Sequence, residues 1–194
     1  MLSIPDALAR YRDLHPEESD RLTRVTRFVA DTPSEQALTA RSNGVGHVTT
    51  SGFVLDATCS TTLLIHHRKL GIYVQPGGHV EPDDPSLVAS ALRELTEETG
   101  LSPLQQVATS DLPIVPFDID SHYIPPNPTR GEPEHWHHDF RYLFLAPATG
   151  TVVTPSDEVS DARWVPLTEV GDYPTLEHVA PKLVAAAAAI SHHR

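Results

Sequence analysis

The sequence has little cysteine, little basic charge and no long apolar run. Its one cysteine, Cys59, excludes an internal disulfide framework and any zinc site built from several cysteines. Only 14 lysine and arginine residues stand against 26 aspartate and glutamate residues, and the formal net charge is −12. A nucleic-acid backbone is held by clustered lysine and arginine, so we expect no binding of extended nucleic acid.

No apolar segment approaches the ~20 residues that cross a membrane, and the longest candidate, residues 183–190, is mostly alanine. The first residues lack the basic start and apolar stretch of a signal peptide. We therefore expect a cytoplasmic protein without membrane contact. Its 194 residues, 39% of them hydrophobic, suffice for a domain with a sizeable core.

The spacing of apolar residues divides the chain in two. Residues 1–42 form a helical extension in which Pro16 and Pro33 punctuate two helical segments. The sequence leaves open whether this extension packs on the rest of the chain or forms a homodimer interface. Residues 43–194 form the main domain, and strands on either side of a helix indicate a mixed α/β or α+β fold.

The elements expected in the main domain follow from its periodicity and its turn residues. We predict a hairpin over 47–67, a strand leading into a turn-rich loop over 71–85, and a helix from Pro85 to Thr99 that ends at Gly100. A proline-rich stretch over 113–133, strands over 134–146 and near 162–167, and a helix from Pro174 to about Ile190 complete the chain.

The helix over 85–99 places three carboxylates on one face. Glu94, Glu97 and Glu98 repel one another by roughly 0.2–0.5 kcal/mol per pair, and an ion pair from Arg93 to Glu97 offsets part of this. Such a face is typical either of a solvated helix surface or of a magnesium site, which needs clustered oxygens completed by substrate phosphates and water. The glycine pair in PGGHVEP lets the backbone approach a ligand closely and favours the second interpretation.

Gly78 and the segment RELTEETGL (93–101) resemble the Nudix box, G-x5-E-x7-R-E-U-x-E-E-x-G-U, in which U is aliphatic. The last nine positions match throughout. The box glutamate falls on Asp84, and eight residues instead of seven precede Arg93, which indicates one extra residue in the loop. Because Asp84-Pro85 is a good N-cap followed by proline at the first helical position, we interpret Asp84 as a helix cap rather than a metal ligand.

The resemblance implies a Nudix-like α/β/α sandwich with a mixed sheet. It also implies a hydrolase that uses Mg²⁺ or Mn²⁺ to cleave a pyrophosphate bond in a nucleoside triphosphate, or in a nucleoside diphosphate linked to another group. Carried over by motif position, Glu97 and Glu98 bind metal, Glu94 binds metal or acts as the base, and Arg93 orients the glutamates.

Two further residues follow from the same resemblance. The carbonyl of Gly77 matches a common backbone ligand of the metal. Glu158 stands six residues before Trp164, the position of a further metal ligand or base in the family, although the acidic segment around it is also typical of an ordinary surface loop. Whether Glu94 or Glu158 takes the proton from the attacking water stays open.

Alternation along EHWHHDFRY places His135, His137, Asp139 and Arg141 on one face of a strand. With His122, this face is interpreted as a substrate-facing wall, a base or a separate transition-metal site, the alternative being half-exposed strand residues. Arg68 at the end of the preceding hairpin could hold a phosphate, although a solvated turn is also consistent. The candidate substrate-binding residues are therefore Arg68, His122, His137, Asp139 and Arg141.

Two other functions compete with a hydrolase of a small nucleotide. An enzyme like isopentenyl-diphosphate isomerase shares the fold but needs a reactive cysteine, and Cys59 lies in the predicted turn DATCS. A non-catalytic nucleotide-sensing module would be expected to have lost carboxylates, whereas Glu94, Glu97 and Glu98 are all present. The sequence therefore favours the hydrolase.

Overall fold

The N-terminal segment folds into three short helices. A computed structural model describes residues 2–102, 104–107, 115–129, 131–146 and 158–192. Helices α1 (Ile4–Leu14), α2 (Thr23–Asp31) and α3 (Glu35–Thr39) are separated before Pro16 and around Pro33, as predicted. A single 3₁₀ turn, Pro16–Glu18, follows α1.

A mixed sheet of eight strands forms the centre of the described residues. Strand β1 (Gly46–Leu55) meets β2 (Thr61–His67) in the predicted hairpin. Farther from this turn, β3 (Ile72–Val74) pairs with β2, and β4 (Gly77–His79) pairs with β1. The segment between the hairpin and the carboxylate helix therefore lies directly beside β1.

The other side of β1 pairs with a strand from the far end of the sequence. Strand β7 (His135–Leu145) runs parallel to β1 over ten residue pairs. Its opposite edge carries β5 (Gln105–Gln106) and β6 (Asp118–Ile124), while β8 (Val159–Pro166) pairs with β2.

Strand β6 was not expected, because the prolines around it suggested an irregular stretch over 113–133. The structure shows a proline-free run between Pro116 and Pro125 that pairs antiparallel with β7 over its whole length. Prolines that flank a strand remove no ladder hydrogen bond from it, so they delimit the strand without breaking it.

Helices cover both faces of the sheet, which confirms the expected fold class. On one face, side chains of α1 and α2 share a buried core with Leu95 of α4 (Leu87–Thr99). On the other face, Leu183 of α5 (Ala180–His192) packs with Phe53 and Leu143 of the sheet. The N-terminal helices thus pack on the main domain, and a homodimer stays a prediction. None of the described helices is long and apolar enough to cross a membrane.

Helix α5 begins six residues later than the predicted start at Pro174. Thr175 has a positive φ of 73°, a conformation that side chains with a branched Cβ adopt rarely and that interrupts helical hydrogen bonding. A single 3₁₀ turn, Val170–Asp172, precedes this interruption. The segment between it and α5 therefore turns before the helix can start.

Candidate active site

Helix α4 is capped at both ends and is joined to β1 by a buried hydrogen bond. Ser86 caps the first turn by accepting a hydrogen bond from the Ala89 N–H at 3.2 Å. Gly100 closes the last turn with φ 69° and donates its N–H to the Thr96 carbonyl at 2.9 Å, as predicted. Between the ends, Thr50 of β1 donates to the Ser90 hydroxyl at 3.0 Å.

The three glutamates of α4 differ in exposure. Glu98 is 8% exposed, and its Oε2 accepts a hydrogen bond from the Gly77 N–H at 2.9 Å. The carboxylate of Glu94 lies against Gly78, where an added Cβ would sit 2.6 Å from the Glu94 Cδ. Glu97 remains 60% exposed at its side chain. A glycine at position 78 is therefore what lets β4 approach the helix carboxylates.

Arg93 ties the loop to the helix. Its Nη1 donates to Glu94 at 2.9 Å and to Glu97 at 3.2 Å, which confirms the predicted ion pair with Glu97. Its Nη2 donates to the His79 carbonyl at 3.0 Å. One guanidinium thus fixes the positions of two carboxylates relative to β4.

The interpretation of Asp84 as the helix N-cap is wrong. Ser86 occupies that position, and α4 begins at Leu87 instead of Pro85. Asp84 accepts a bidentate pair of bonds from Arg93, at 3.0 Å from Nε and 2.9 Å from Nη2, and also accepts the Glu81 N–H. The extra loop residue leaves Asp84 two positions before the cap, within reach of the arginine, so the side chain orients Arg93 rather than the helix terminus.

The acid groups at this site carry opposite pKa shifts. Burial, together with the nearby charges of Glu94 and Glu158 and against the opposing Gly77 hydrogen bond, raises the pKa of Glu98 to about 7. Burial also raises the pKa of Glu94. The hydrogen bonds from Arg93 instead lower the pKa of Asp84 to about 2.

Glu158 lies beside the start of β8, within electrostatic reach of Glu98. Its carboxylate contacts Lys69 Nζ at 2.6 Å with both side chains about half exposed, and its carbonyl accepts the Arg68 N–H at 2.8 Å. The Arg68 side chain is exposed. Strand pairing therefore brings Glu158, Arg68 and Lys69 to the same end of the β2–β8 ladder, and Glu158 adds to the negative potential at the helix carboxylates.

The two buried residues of the predicted strand face form an ion-pair network. Arg141 is 2% exposed and donates to Asp139 at 3.0 Å, to Asp118 at 3.2 Å and to Asp120 at 3.1 Å. Asp139 also accepts the Ser51 hydroxyl at 2.7 Å. This confirms that Asp139 and Arg141 share a face.

Side chains from the turn before α2, from the turn before α5 and from α5 itself complete this network around Asp118. Arg21 Nη2 and Lys182 Nζ each lie 2.8 Å from its Oδ1, and His178 Nε2 lies 3.3 Å from its Oδ2. Burial alone would raise the pKa of Asp118, but His178, Arg141, Lys182 and Arg21 together hold it well below its ordinary value. The network joins α1–α2, β6, β7 and α5.

The other two residues of the predicted face of β7, His135 and His137, belong to a group of histidines from several strands. His137 has its ring centre 4.6 Å from that of His47 and 5.2 Å from that of His79. His135 and His122 lie 5.1 and 5.5 Å from His137 in the same measure. Burial, followed by the charges of neighbouring groups, lowers the pKa of His47 to about 3, of His79 to about 4 and of His137 to about 2.

Sequence reasoning missed His47, His79, Ser51 and Gln75 on this side of the sheet. Gln75 Nε2 lies 3.2 Å from both Ser51 Oγ and Asp139 Oδ2, so it joins the segment between β3 and β4 to the buried network. Alternation along β1 does place His47 and Ser51 on one face. What the sequence lacked was the identity of the neighbouring strands.

The carboxylates at this site are only partly neutralised by the chain. Glu94 and Glu98 of α4 lie against the glycine-containing strand β4. Among the described residues, Glu98 has no cationic partner, and Glu94 and Glu97 share only Arg93. Oxygen-rich, incompletely neutralised groups are the ligands that Mg²⁺ and Mn²⁺ prefer.

Comparisons with known proteins identify the family of the chain. The family model of the NUDIX domain matches residues 46–187. The chain is 33% identical over 141 residues to "m7GpppN-mRNA hydrolase NUDT17" of Bos taurus, an alignment that covers 70% of this chain and 42% of that protein. The chain therefore belongs to the Nudix family, although it spans less than half the length of this relative.

Solved structures share the fold. A NUDIX-family hydrolase from Clostridium perfringens superposes with a TM-score of 0.56 at 20% identity, over 72% of this chain and 97% of that chain. An Ap4A hydrolase from C. elegans superposes with a TM-score of 0.52 at 18% identity, over 75% of this chain and 98% of that chain. The predicted family and fold are thereby confirmed.

Proposed function

We propose that this chain hydrolyses a pyrophosphate bond in a nucleoside triphosphate, or in a nucleoside diphosphate linked to another group, with Mg²⁺ or Mn²⁺. The observation that carries the proposal is the buried Glu98 carboxylate, which is held by the Gly77 N–H, flanked by Glu94 and Glu97, and without a cationic partner among the described residues. The names of two similar proteins, an m7GpppN-mRNA hydrolase and an Ap4A hydrolase, point to the same substrate class. We assign the activity to residues 43–194.

The residues fit a divalent ion by their chemistry. We propose the carboxylates of Glu94, Glu97, Glu98 and Glu158 and the carbonyl of Gly77 as its ligands. Bound there, Mg²⁺ or Mn²⁺ would neutralise phosphate oxygens and acidify the attacking water.

The remaining chemistry falls to the chain's own side chains. Arg93 holds Glu94 and Glu97 in place, and the Gly77 N–H holds Glu98, so these groups are positioned before the substrate arrives. Glu94 or Glu158 removes the proton as the water oxygen attacks phosphorus and the bond to the leaving phosphate breaks. Such a base contributes on the order of 10² to 10⁴-fold.

We also propose roles for the predicted substrate-binding residues. Arg68, which is exposed near Glu158, would bind a phosphate, and the side of the sheet that carries His122 and His137 would face the group beyond the pyrophosphate. Asp139 and Arg141 are 3% and 2% exposed, so they would act by positioning their neighbours in contact with a substrate.

Cys59 does not support the isomerase alternative. It lies in the turn between β1 and β2, is 7% exposed and packs in the apolar core on the α5 face. A thiol buried among apolar side chains is a small core side chain rather than an accessible reactive group.

The test is hydrolysis of a substrate panel by the purified chain. The panel contains nucleoside triphosphates, dinucleoside polyphosphates, ADP-ribose, NDP-sugars, NADH and capped RNA, with released phosphate measured after phosphatase coupling. We expect turnover with Mg²⁺ or Mn²⁺ that EDTA abolishes and that Glu98→Gln lowers by at least about 100-fold. The matched control Glu177→Gln, at an exposed glutamate, should keep full activity. Absence of turnover across the panel, or full activity of Glu98→Gln, would contradict the proposal.

A further inference from the structure

Three histidines from three strands converge on one face of the sheet, next to the carboxylate site. β1 carries His47, β4 carries His79 and β7 carries His137, and the strand registers place His47 directly beside His137. One ring nitrogen of each lies within 4.8 Å of the corresponding nitrogen of the other two. No carboxylate belongs to this group, so its chemistry differs from that of the glutamates on α4.

Within the part of the chain that the structure describes, neither ring nitrogen of His47 has a hydrogen-bond partner, although the residue is only 2% exposed. A neutral imidazole always carries one N–H donor and one lone-pair acceptor. Leaving a buried polar group unpaired destabilises a fold, so such groups are rare in stable proteins. A ligand that takes the lone pair of His47 would remove part of this destabilisation.

The contacts of the neighbouring His135 indicate that His137 can also supply a ring nitrogen as a ligand. The Pro133 carbonyl accepts a hydrogen bond from His135 Nδ1 at 2.9 Å, so in the neutral form of His135 the lone pair is on Nε2. That lone pair faces His137 Nε2 at 3.2 Å. Two lone pairs would repel at this distance, so either His137 carries its proton there and leaves Nδ1 free, or a cation lies between the two nitrogens.

We propose that His47, His79 and His137 form a binding site for a transition-metal ion such as Zn²⁺, separate from the carboxylate site for Mg²⁺. Imidazole nitrogen is a good ligand for Zn²⁺, Co²⁺ and Ni²⁺ and a poor one for Mg²⁺. Tetrahedral nitrogens about 2.05 Å from an ion lie about 3.4 Å apart, so each ring needs to move by less than about 1 Å.

The proposed site has the composition of an open zinc centre. Three histidines leave a fourth coordination position for water, His135 or an oxygen of a bound ligand. Since His79 lies two residues after Gly77, a metal here would be close to the glutamates of α4. The inference depends on the histidine geometry alone and does not require the proposed hydrolysis.

The experiment measures zinc binding by the whole chain, with excess Mg²⁺ present to occupy the carboxylate site. The metal-free protein is titrated with Zn²⁺ against a chromophoric chelator, and bound zinc is counted by elemental analysis after dialysis. Co²⁺ is titrated in parallel, because tetrahedral nitrogen coordination produces visible absorption bands. We expect one Zn²⁺ per chain and a rise in Tm on binding.

Two ligand variants and two controls decide the site. His79→Gln and His137→Gln should each lower zinc affinity by more than about 100-fold, given that loss of a residue behind a ligand already costs 10–100-fold. Circular dichroism and Tm of the metal-free variants establish that they fold. His15→Gln, in a second group with Glu17 and Glu18, should leave zinc binding unchanged.

Glu98→Gln separates this proposal from the proposed function. It should lose hydrolysis and keep zinc binding. Retention of zinc by both folded ligand variants, zinc loss in His15→Gln or Glu98→Gln, or fewer than one zinc per wild-type chain would overturn the inference, whether or not the chain hydrolyses nucleotides.

Discussion

Two groups of carboxylates, one around Asp118 and one around Glu98, differ in what neutralises them. In the first group, Asp118 is surrounded by Arg21, Arg141 and Lys182 at 2.8–3.2 Å. In the second group, Glu98 accepts a hydrogen bond from the Gly77 N–H and has no cationic partner among the described residues. Both carboxylates are buried, so burial does not explain why the pKa is well below the ordinary value for Asp118 and raised to about 7 for Glu98.

The difference separates a structural group of acids from a functional one. A buried charge is tolerated when it is paired, and breaking such a pair strongly destabilises the fold. A buried carboxylate without a partner instead holds a proton or attracts a cation. The paired group around Asp118 is therefore neutralised in the folded chain, whereas the unpaired group around Glu98 keeps a negative charge that a cation would neutralise.

The largest expected effect is a loss of stability in the paired group around Asp118. Asp118→Ala leaves Arg141 buried without one of its partners, and we expect the free energy of unfolding to fall by about 3–5 kcal/mol in urea denaturation. Glu81→Ala is the control, because it removes an ion pair with Arg41 whose side chains are 47% and 58% exposed, and should cost less than about 1 kcal/mol. Equal losses in the two variants would mean that the network around Asp118 is not what joins the helices to the sheet.

The next effect is a pH dependence of stability that arises from Glu98, in the unpaired group. Because the pKa of Glu98 is raised to about 7 in the folded chain, folding favours its protonated form. Its contribution to stability is present below pH ~4.5 and is lost as the pH rises to 7, by roughly 1–3 kcal/mol. Thermal unfolding of the metal-free chain should show this slope, and Glu98→Gln or excess Mg²⁺ should flatten it. A slope unaffected by either change would assign the titration to another group.

A smaller pH dependence of opposite sign is expected at Asp84, an acid that is paired with Arg93 near Glu94. Its pKa is lowered to about 2, so its stabilisation is present above pH ~3.8 and is lost as the pH falls to 2. Asp84→Asn should reduce the free energy of unfolding by about 1–2 kcal/mol at neutral pH and weaken the acid-side slope. If Asp84→Asn and Glu98→Gln change stability in the same direction at pH 7, the contrast between paired and unpaired acids fails.

The helix that carries the carboxylates could be predicted because its signals are local. Periodicity, the glycine stop at Gly100 and the spacing of Arg93 and Glu97 lie within one stretch of chain, and the structure confirms all three. The error at Asp84 arose because two residues near the helix start, Asp84 and Ser86, are both good N-caps. The choice between them depends on a contact farther along the chain, the bidentate pair that Arg93 forms with Asp84.

The histidine group could not be predicted, because its members come from strands that are far apart in sequence. Nothing in the residues around His47 indicates that β7 will lie beside it, and the strand β6 was hidden among prolines. The faces of β7 followed from alternation, but the partners of Arg141 did not. Side-chain direction is a local property, whereas strand order is set by the packing of the whole chain.

The parallel pairing of β1 with β7 also bears on how the chain folds. The paired residues are about 90 positions apart, and such distant contacts form slowly because the ordering of a long loop comes before any gain from pairing. The β1–β2 and β6–β7 pairs are local and can form early. We therefore expect the histidine group to assemble last, since His47 and His137 meet only when β1 and β7 join. A partly synthesised or partly folded chain would then hold a formed carboxylate helix but no transition metal.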